Sequence, residues 1–315
     1  MRALVTGGAG FIGSHLVDAL VARGDEVVVL DSLVTGRRDN VSPAAEFIEG
    51  DVADETAVAE AAAGCAVVYH QAALGSVARS IERPLVSDTA NVHGTLAVLE
   101  GARSAGVRRV VMASSSSVYG GADHVPTPES APLIPRSPYA VTKLTDEHYA
   151  RVFWELHGLE AVCLRYFNVF GPRQRPDSQY AAVIPLFIDA LLSGQPPQVH
   201  GDGRQSRDFT FVTDAVRANL RAAAGPAEVC AGRAFNIARG TPHSLLDLIE
   251  ILADELGVTV TPVHVDPRPG DVRHSHADIT AARQALGYEP AVGLREGLAQ
   301  TLEWFVAQAS RGARA

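Results

Sequence analysis

The chain has 315 residues, enough to bury a large core and to form one or two domains. It is 47% hydrophobic and 20% charged, the balance of an ordinary globular protein. Acidic side chains outnumber basic ones, 36 to 27, and the formal net charge of −9 argues against a nucleic-acid partner, which would call for a basic face.

The first element is the most informative. Residues 3–13 read Ala-Leu-Val-Thr-Gly-Gly-Ala-Gly-Phe-Ile-Gly: a short apolar strand that runs into glycines, with a helix expected from Phe11 to about Arg23. Gly7 suits the tight turn out of the strand, Gly10 lets backbone N–H groups approach a pyrophosphate, and Gly13 lets the helix pack closely on the sheet. The phosphate then lies at the positive end of the helix. The whole loop, with Phe11 and Ile12, is read as cofactor-binding. A second strand, Glu26–Leu30, ends in Asp31. A carboxylate there accepts from the adenosine ribose hydroxyls and repels a 2′-phosphate, which favours NAD over NADP. Arg37 and Arg38 are read as a solvated loop pair, with contact to a 2′-phosphate as the alternative.

Strands and helices then alternate. Strands are expected at Phe47–Glu49, Ala66–His70, Arg109–Ala113 and Ala161–Arg165. Helices are expected near Glu55–Ala63, Pro84–Ala105 and Tyr139–His157. This βαβ rhythm predicts an α/β fold with a doubly wound parallel sheet covered on both faces. After Gly171 the rhythm breaks at Pro172, Pro176, Pro185, Pro196 and Pro197. Helices are expected at Tyr180–Leu192, Ser244–Leu256 and Leu294–Ala309, among short strands. The division expected is a dinucleotide domain over 1–170, with a returning segment near 207–240 that includes a strand at Phe235–Ala238, and a smaller substrate domain over 171–315. Cys65, Cys163 and Cys230 show no metal-ligand spacing, so no metal is expected, and Cys65 and Cys163 read as buried thiols. Met1 leads straight into the first strand, no leader is expected, and no apolar run reaches the roughly 18 residues of a membrane span. A reducing cytoplasm fits these features.

Two stretches carry the chemistry. One is Ser114-Ser115-Ser116-Ser117-Val118-Tyr119-Gly120, at the end of the expected strand Arg109–Ala113; the other is Ser137-Pro138-Tyr139-Ala140-Val141-Thr142-Lys143. Tyr139 and Lys143 are four apart at a helix start and point to one side. A lysine ammonium near a phenol lowers the phenol's pKa, which suits Tyr139 to act as a general base. The carboxyl ends of parallel strands are where ligands bind in open α/β folds, and a hydroxyl such as that of Ser115 can there share a proton with Tyr139.

With these segments in view, the chain resembles the extended short-chain dehydrogenases/reductases, and within them the nucleotide-sugar 4-epimerases. The resemblance runs nearly end to end. It is carried by Thr6-Gly-Gly-Ala-Gly-Phe-Ile-Gly13, Gly50-Asp51-Val52, His70-Gln-Ala-Ala73, Asn91-Val-His-Gly-Thr95, the serine run, Tyr139 with Lys143, Arg165-Tyr-Phe-Asn-Val-Phe-Gly-Pro-Arg173, Arg207-Asp208-Phe209 and Arg268-Pro-Gly-Asp271. It implies a Rossmann-like sheet, NAD as cofactor, a UDP-sugar as substrate and a homodimer. The helices around Thr89–Ala105 and Tyr139–His157 carry apolar residues on more than one face, including Val98, Leu99, Val152, Phe153 and Trp154; one face must cover the sheet, and the other is expected to form a four-helix bundle with a second copy. It places Asp51 and Val52 beside the adenine and Lys143 on the nicotinamide ribose, and adds Gln71, Ala72, Ala73 and Asn91 to the cofactor site. Asn168, Arg207 and Arg268 hold the UDP pyrophosphate by this resemblance, with Asp271 on the uridine ribose. Ser76, Arg79, Ser115, Ser116, Ser117, Tyr139, Val183 and Ser275 complete the substrate site.

Relatives in this group share the first oxidation and then diverge. Resembling 4,6-dehydratases carry Thr-Asp-Glu where this chain has Ser115-Ser116-Ser117, and resembling UDP-glucuronate decarboxylases carry a glutamate at the Ser117 position. Lacking both acids, the chain reads as an epimerase. Ser275 matches the position that limits room for the sugar's 2-substituent, where a tyrosine excludes N-acetyl sugars. The runs Gln71–Ser80 and Tyr180–Pro185 resemble the branch that prefers UDP-N-acetylhexosamines. Arg175-Pro176-Asp177 and the serine run also resemble UDP-glucuronate 4-epimerases, in which a threonine is expected at the Asn168 position. UDP-Glc/UDP-Gal and UDP-GlcNAc/UDP-GalNAc are the expected substrates, with UDP-glucuronate as the alternative. A net dehydrogenase and a non-catalytic NAD-binding protein are the readings from other classes.

Overall fold

The computed structural model describes residues 1–121, 125–174, 182–267 and 272–312, with side chains through residue 310. The first half runs β1 (Arg2–Thr6), α1 (Phe11–Ala22), β2 (Glu26–Asp31), β3 (Glu46–Glu49), α2 (Glu55–Ala62), β4 (Val67–His70), α3 (Val77–Glu82), α4 (Pro84–Asp88), α5 (Gly94–Ser104), β5 (Arg109–Ser115), α6 (Pro138–His157) and β6 (Glu160–Tyr166). The second half runs β7 (Val169–Phe170), α7 (Val183–Leu192), β8 (Gln198–His200), β9 (Ser206–Asp208), β10 (Thr210–Phe211), α8 (Val212–Ala224), α9 (Ala227–Cys230), β11 (Ala234–Ile237), β12 (Pro242–Ser244), α10 (Leu245–Leu256), β13 (Val263–Val265), β14 (His274–Ser275), α11 (Thr280–Leu286) and α12 (Leu294–Gly312).

Seven parallel strands form one sheet in the order β11-β6-β5-β4-β1-β2-β3. The fold is Rossmann-like α/β, as the βαβ rhythm predicts. Strand alternation divides the apolar residues between two cores. Ala3, Val5, Val27, Val29, Val67 and Val111 pack with Leu16, Leu20, Ala215 and Ala218 of α1 and α8. Leu4, Val28, Val68 and Val110 pack with Val58, Leu99 and Phe153 of α2, α5 and α6. A strand buried on both faces has no polar side, which is why these segments are continuous Val/Leu runs. The chain leaves β1 toward β2 and β3, then crosses back to β4. That reversal opens a crevice at the carboxyl ends of β1 and β4, the usual ligand position in such sheets.

The second half adds short two- and three-stranded sheets and a third core around Phe170, Phe187, Phe209, Phe211, Leu248 and Leu298. β11 returns to pair in parallel with β6, one residue earlier than the expected Phe235–Ala238 strand. The helix expected over Pro84–Ala105 is two α-helices joined by a π-helical turn at Thr89–His93, which holds Asn91 fully buried. Val98, Leu99 and Phe153 lie in the core, at 7% exposure or less, so they are packing residues and not an outer helix face. Trp154 also packs inward, against Gly232.

Candidate active site

The glycine loop is built as its sequence requires. Gly7 has φ of +70°, and its N–H donates to the Leu30 carbonyl at 2.9 Å. A Cβ on Gly7 would lie 2.6 Å from the Ala72 backbone, and one on Gly13 would lie 2.1 Å from the Gly7 carbonyl oxygen. These positions therefore admit only hydrogen. No side chain caps α1, and its first turn carries no acid. Its unpaired amides open on a cleft of ≈ 740 Å³ whose wall includes Gly7, Gly10, Phe11, Ile12 and Gly13. Asp31, at the end of β2, accepts from the Ala9 N–H at 2.9 Å and the Leu33 N–H at 2.8 Å. These bonds tie the loop to the neighbouring strand and set the carboxylate on the cleft wall. Arg37 and Arg38 are exposed, and the Arg38 guanidinium lies 4.4 Å above the Phe47 ring.

Asp51, Val52, Gln71, Ala72, Ala73, Ser115, Tyr139, Lys143 and Asn168 line the same cleft. Ser137 caps α6 by accepting from the Ala140 N–H, and Pro138 stands in its first turn. Tyr139 and Lys143 thus sit one turn apart where the helix meets the cleft. Lys143 is 2% exposed, and its Nζ lies 3.1 Å from Asp146 Oδ2. Burial pulls the ammonium down, but Asp146 and then Tyr139 outweigh it, and the net direction is up. His70 lies between the Thr6 and Thr95 hydroxyls, at 2.7 and 2.9 Å. Burial, reinforced by the Lys143 charge, holds His70 down at about 3, so the ring is neutral.

The serine run divides its tasks. Ser114 donates to Glu147 at 2.5 Å, Glu147 pairs twice with Arg165 at 2.9 and 2.7 Å, and Arg165 donates to the Tyr119 hydroxyl. Tyr119 in turn donates to Asn236 of β11 at 2.7 Å. This buried network locks β5, β6, β11 and α6 together behind the cleft. The Ser115 hydroxyl accepts from the Ser117 N–H at 3.1 Å, which fixes it at the strand end. Ser116 and Ser117 belong to the 3-10 turn that follows, outside the cleft lining, and Ser117 Oγ is buried with no hydrogen-bond partner.

Other expected site residues fall elsewhere. Asn91 does not line the cleft: its oxygen accepts from the Leu74 N–H at 2.8 Å and its amide donates to Thr142 at 3.0 Å. With both ends engaged, it joins the loop after β4 to α6. Ser76 caps α3 by accepting from the Arg79 N–H, and neither residue lines the cleft. A second cavity of ≈ 770 Å³ holds Val183 and Arg207, and it shares Asn168, Val169 and Gln174 with the first. Asn168 has φ of +37°, a conformation asparagine tolerates better than most side chains. Ser275 lies in β14, in register with Arg207 of β9, outside the walls of both cavities. Arg268, Asp271 and Tyr180 lie outside the described residues. Sequence reasoning missed Ser80, Asp146 and Gln174. Ser80 Oγ accepts from the Tyr139 N–H at 3.0 Å. Among the described residues there is no cluster of metal-ligating side chains, and no helix is long and apolar enough to cross a membrane.

Comparison with known proteins agrees with this geometry. Residues 3–238 match the NAD dependent epimerase/dehydratase family. A UDP-glucose 4-epimerase of Mycolicibacterium smegmatis is 43% identical over 312 residues, covering 97% of this chain and 98% of its own. The crystal structure of a Thermotoga maritima UDP-glucose 4-epimerase with UDP-glucose superposes with a TM-score of 0.94 at 39% identity, covering 98% of this chain and all of the other. A Methanobrevibacter ruminantium UDP-N-acetylglucosamine 4-epimerase, in complex with UDP-N-acetylmuramic acid, gives 0.93 at 38% identity, with 98% of each chain covered. The chain belongs to the NAD dependent epimerase/dehydratase family. It is an enzyme, and NAD is its cofactor.

Proposed function

We propose that the protein interconverts UDP-sugars epimeric at carbon 4, through a transient 4-keto sugar and with no net redox change. The observation that carries this reading is the chemistry of the cleft. Among its described lining residues the carboxylates are Asp31 and Asp51, both at the end formed by β2 and the loop after β3. None stands beside Ser115 and Tyr139, where elimination or decarboxylation would use an acid. Likeness to the epimerases described above supports the same reading.

Bound NAD supplies a reversible hydride acceptor. The glycine loop and the α1 amides suit its pyrophosphate, and Asp31 suits its adenosine ribose. Tyr139 takes the proton of the sugar's 4-hydroxyl and later returns it. Lys143 places a positive charge near that phenol and binds the nicotinamide ribose. Ser115, held by the Ser117 amide, faces the same space with a hydroxyl proton to share. The cavity beyond Asn168 receives the UDP moiety, with Arg207 as a donor to the pyrophosphate, since fixed guanidinium forks suit phosphate oxygens. Arg268 and Asp271 complete that site in this proposal.

Incubation with a panel of UDP-sugars, without added reductant, tests the reaction: epimers form and NADH does not accumulate. Net NADH production would identify a dehydrogenase instead. Both neutral hexose and N-acetylhexosamine substrates are proposed, because Ser275 is small and stands beside Arg207. Ser275→Tyr should reduce kcat/KM on UDP-GlcNAc and UDP-GalNAc at least about tenfold more than on UDP-Glc and UDP-Gal, because a rigid site resists an added ring. Equal losses on both pairs would remove Ser275 from selectivity.

A homodimer is also proposed. Val141, Val152 and Leu156 are 50%, 37% and 72% exposed and share one face of α6, at spacings of 11 and 4. Covering this stripe with the same stripe of a second copy would remove it from water. Light scattering at micromolar concentration should give twice the chain mass; a monomer would overturn the dimer.

A further inference from the structure

Asp146 lies on α6, three residues beyond Lys143, on the buried side of the helix. Its side chain is 1% exposed and pairs with the equally buried Lys143. Oδ2 takes the lysine at 3.1 Å, while Oδ1 makes no hydrogen bond. Its neighbour Glu147 is a useful contrast. Glu147 uses both oxygens, on Arg165 and Ser114, and ties three elements together. Buried carboxylates that serve architecture satisfy their oxygens in this way. Asp146 leaves one oxygen bare and spends the other on the lysine.

The surroundings supply no substitute counter-charge. From α6, Tyr139 and Glu147 face the pair, and Glu147 is already neutralised by Arg165. From β4 comes His70, which is neutral. From β6 come Cys163, whose thiol burial keeps protonated, and Arg165. From α5 comes the Thr95 hydroxyl, which favours the charged carboxylate, lies 2.9 Å from His70 Nε2 and, being neutral, brings no counter-charge. A buried lysine without a counterion sheds its proton, and the oxidised nicotinamide brings a further positive charge to this cleft.

We propose that Asp146 is a positioning residue for the catalytic pair: it keeps Lys143 charged and fixed at the floor of the cleft, where the ammonium serves Tyr139 and the cofactor ribose. This rests on the roles given to Tyr139 and Lys143 under the proposed function. Burial pushes the Asp146 carboxyl up, to about 6, and Lys143 limits the rise, so the pair is charged at neutral and alkaline pH.

The test is kcat against pH, from 6 to 10, per folded and NAD-loaded subunit. Asp146→Asn removes the counter-charge at similar volume. Its alkaline loss of kcat should begin at least about one pH unit below that of the wild type, with KM for the UDP-sugar changed by less than about threefold. Asp146→Glu should return the profile toward the wild type. A purely structural Asp146 would lower the folded yield and leave the profile unmoved, and that outcome overturns the proposal. If Asp146→Asn does not fold, the wild type is read by lysine-selective 15N NMR, with the Lys143 signal assigned by its absence in Lys143→Met. An ammonium signal persisting to pH 9 is expected, and a neutral amine at pH 8 overturns the proposal. An active Tyr139→Phe enzyme would defeat the base assignment. An inactive one alongside an unmoved Asp146→Asn profile would defeat only the role of Asp146.

Discussion

A Tyr139→Phe enzyme should turn over at least about a hundredfold more slowly than the wild type, the usual scale for a general acid–base group. The ring stays, so the α6 turn and the cleft wall keep their shape. The Ser80 hydroxyl still accepts from the residue 139 N–H, and Ser137 still caps the helix, since neither bond uses the phenol. The loss should therefore fall on kcat. UDP-sugar affinity by calorimetry and the NAD content of the purified protein should stay close to wild type. Near-normal turnover would take the base role away from Tyr139.

Gly13→Ala should affect binding and folding together. Its new methyl would lie 2.1 Å from the Gly7 carbonyl oxygen and 3.0 Å from Gly8 Cα, so it meets backbone and not a side chain that can swing aside. Either α1 lifts from the sheet or the loop opens. Overpacking of this kind costs about 1–3 kcal/mol, and both responses displace the amides that face the cofactor. NAD retained after gel filtration should fall severalfold or more, and the thermal midpoint should drop by several degrees. Retention of both at wild-type levels would mean that the loop does not hold the phosphate as described. An alanine at Gly24 is the contrast: it meets no neighbour within 4 Å, although its φ of +85° carries its own strain.

The parts legible from the chain were those where backbone chemistry leaves a local signature. Gly7 and Gly13 announce the loop because a side chain at either would collide with backbone, and strands buried on both faces announce themselves as Val/Leu runs. Asp31 was legible through its place at a strand end. At Asn91 one dimension says less, because a buried asparagine that joins two segments looks there like one that faces a ligand. Its partners Leu74 and Thr142 are distant in sequence and adjacent only after the π-helical turn forms. Helical periodicity shows apolar residues on more than one face of α5 and α6 but does not say which neighbours cover a given side; Val98 and Leu99 pack in the core with Val58 and Ala61 of α2. Asp146 escaped notice because an Asp three residues after a Lys is an ordinary pattern on exposed helices, and only the packing of α6 on β5 and β6 reveals its burial. The strands of the second half are two to four residues long, too short for alternation to register.

The return of β11 to the edge of the large sheet has a consequence for how the protein is made. A ribosome has released β1 through β6 long before Ala234–Ile237 exist, and until then the outer side of β6 offers unpaired amide and carbonyl groups to any other nascent chain. Asn236 also supplies the acceptor for Tyr119, so the polar network behind Ser114 stays incomplete over the same interval. The two halves are therefore not separable modules that could be exchanged by cutting after Phe170. A graft of a new sugar-binding half onto this nucleotide half must carry its own strand to finish the host's sheet, and the register that strand adopts, Phe235 opposite Leu164, sets the seam any such chimera has to respect.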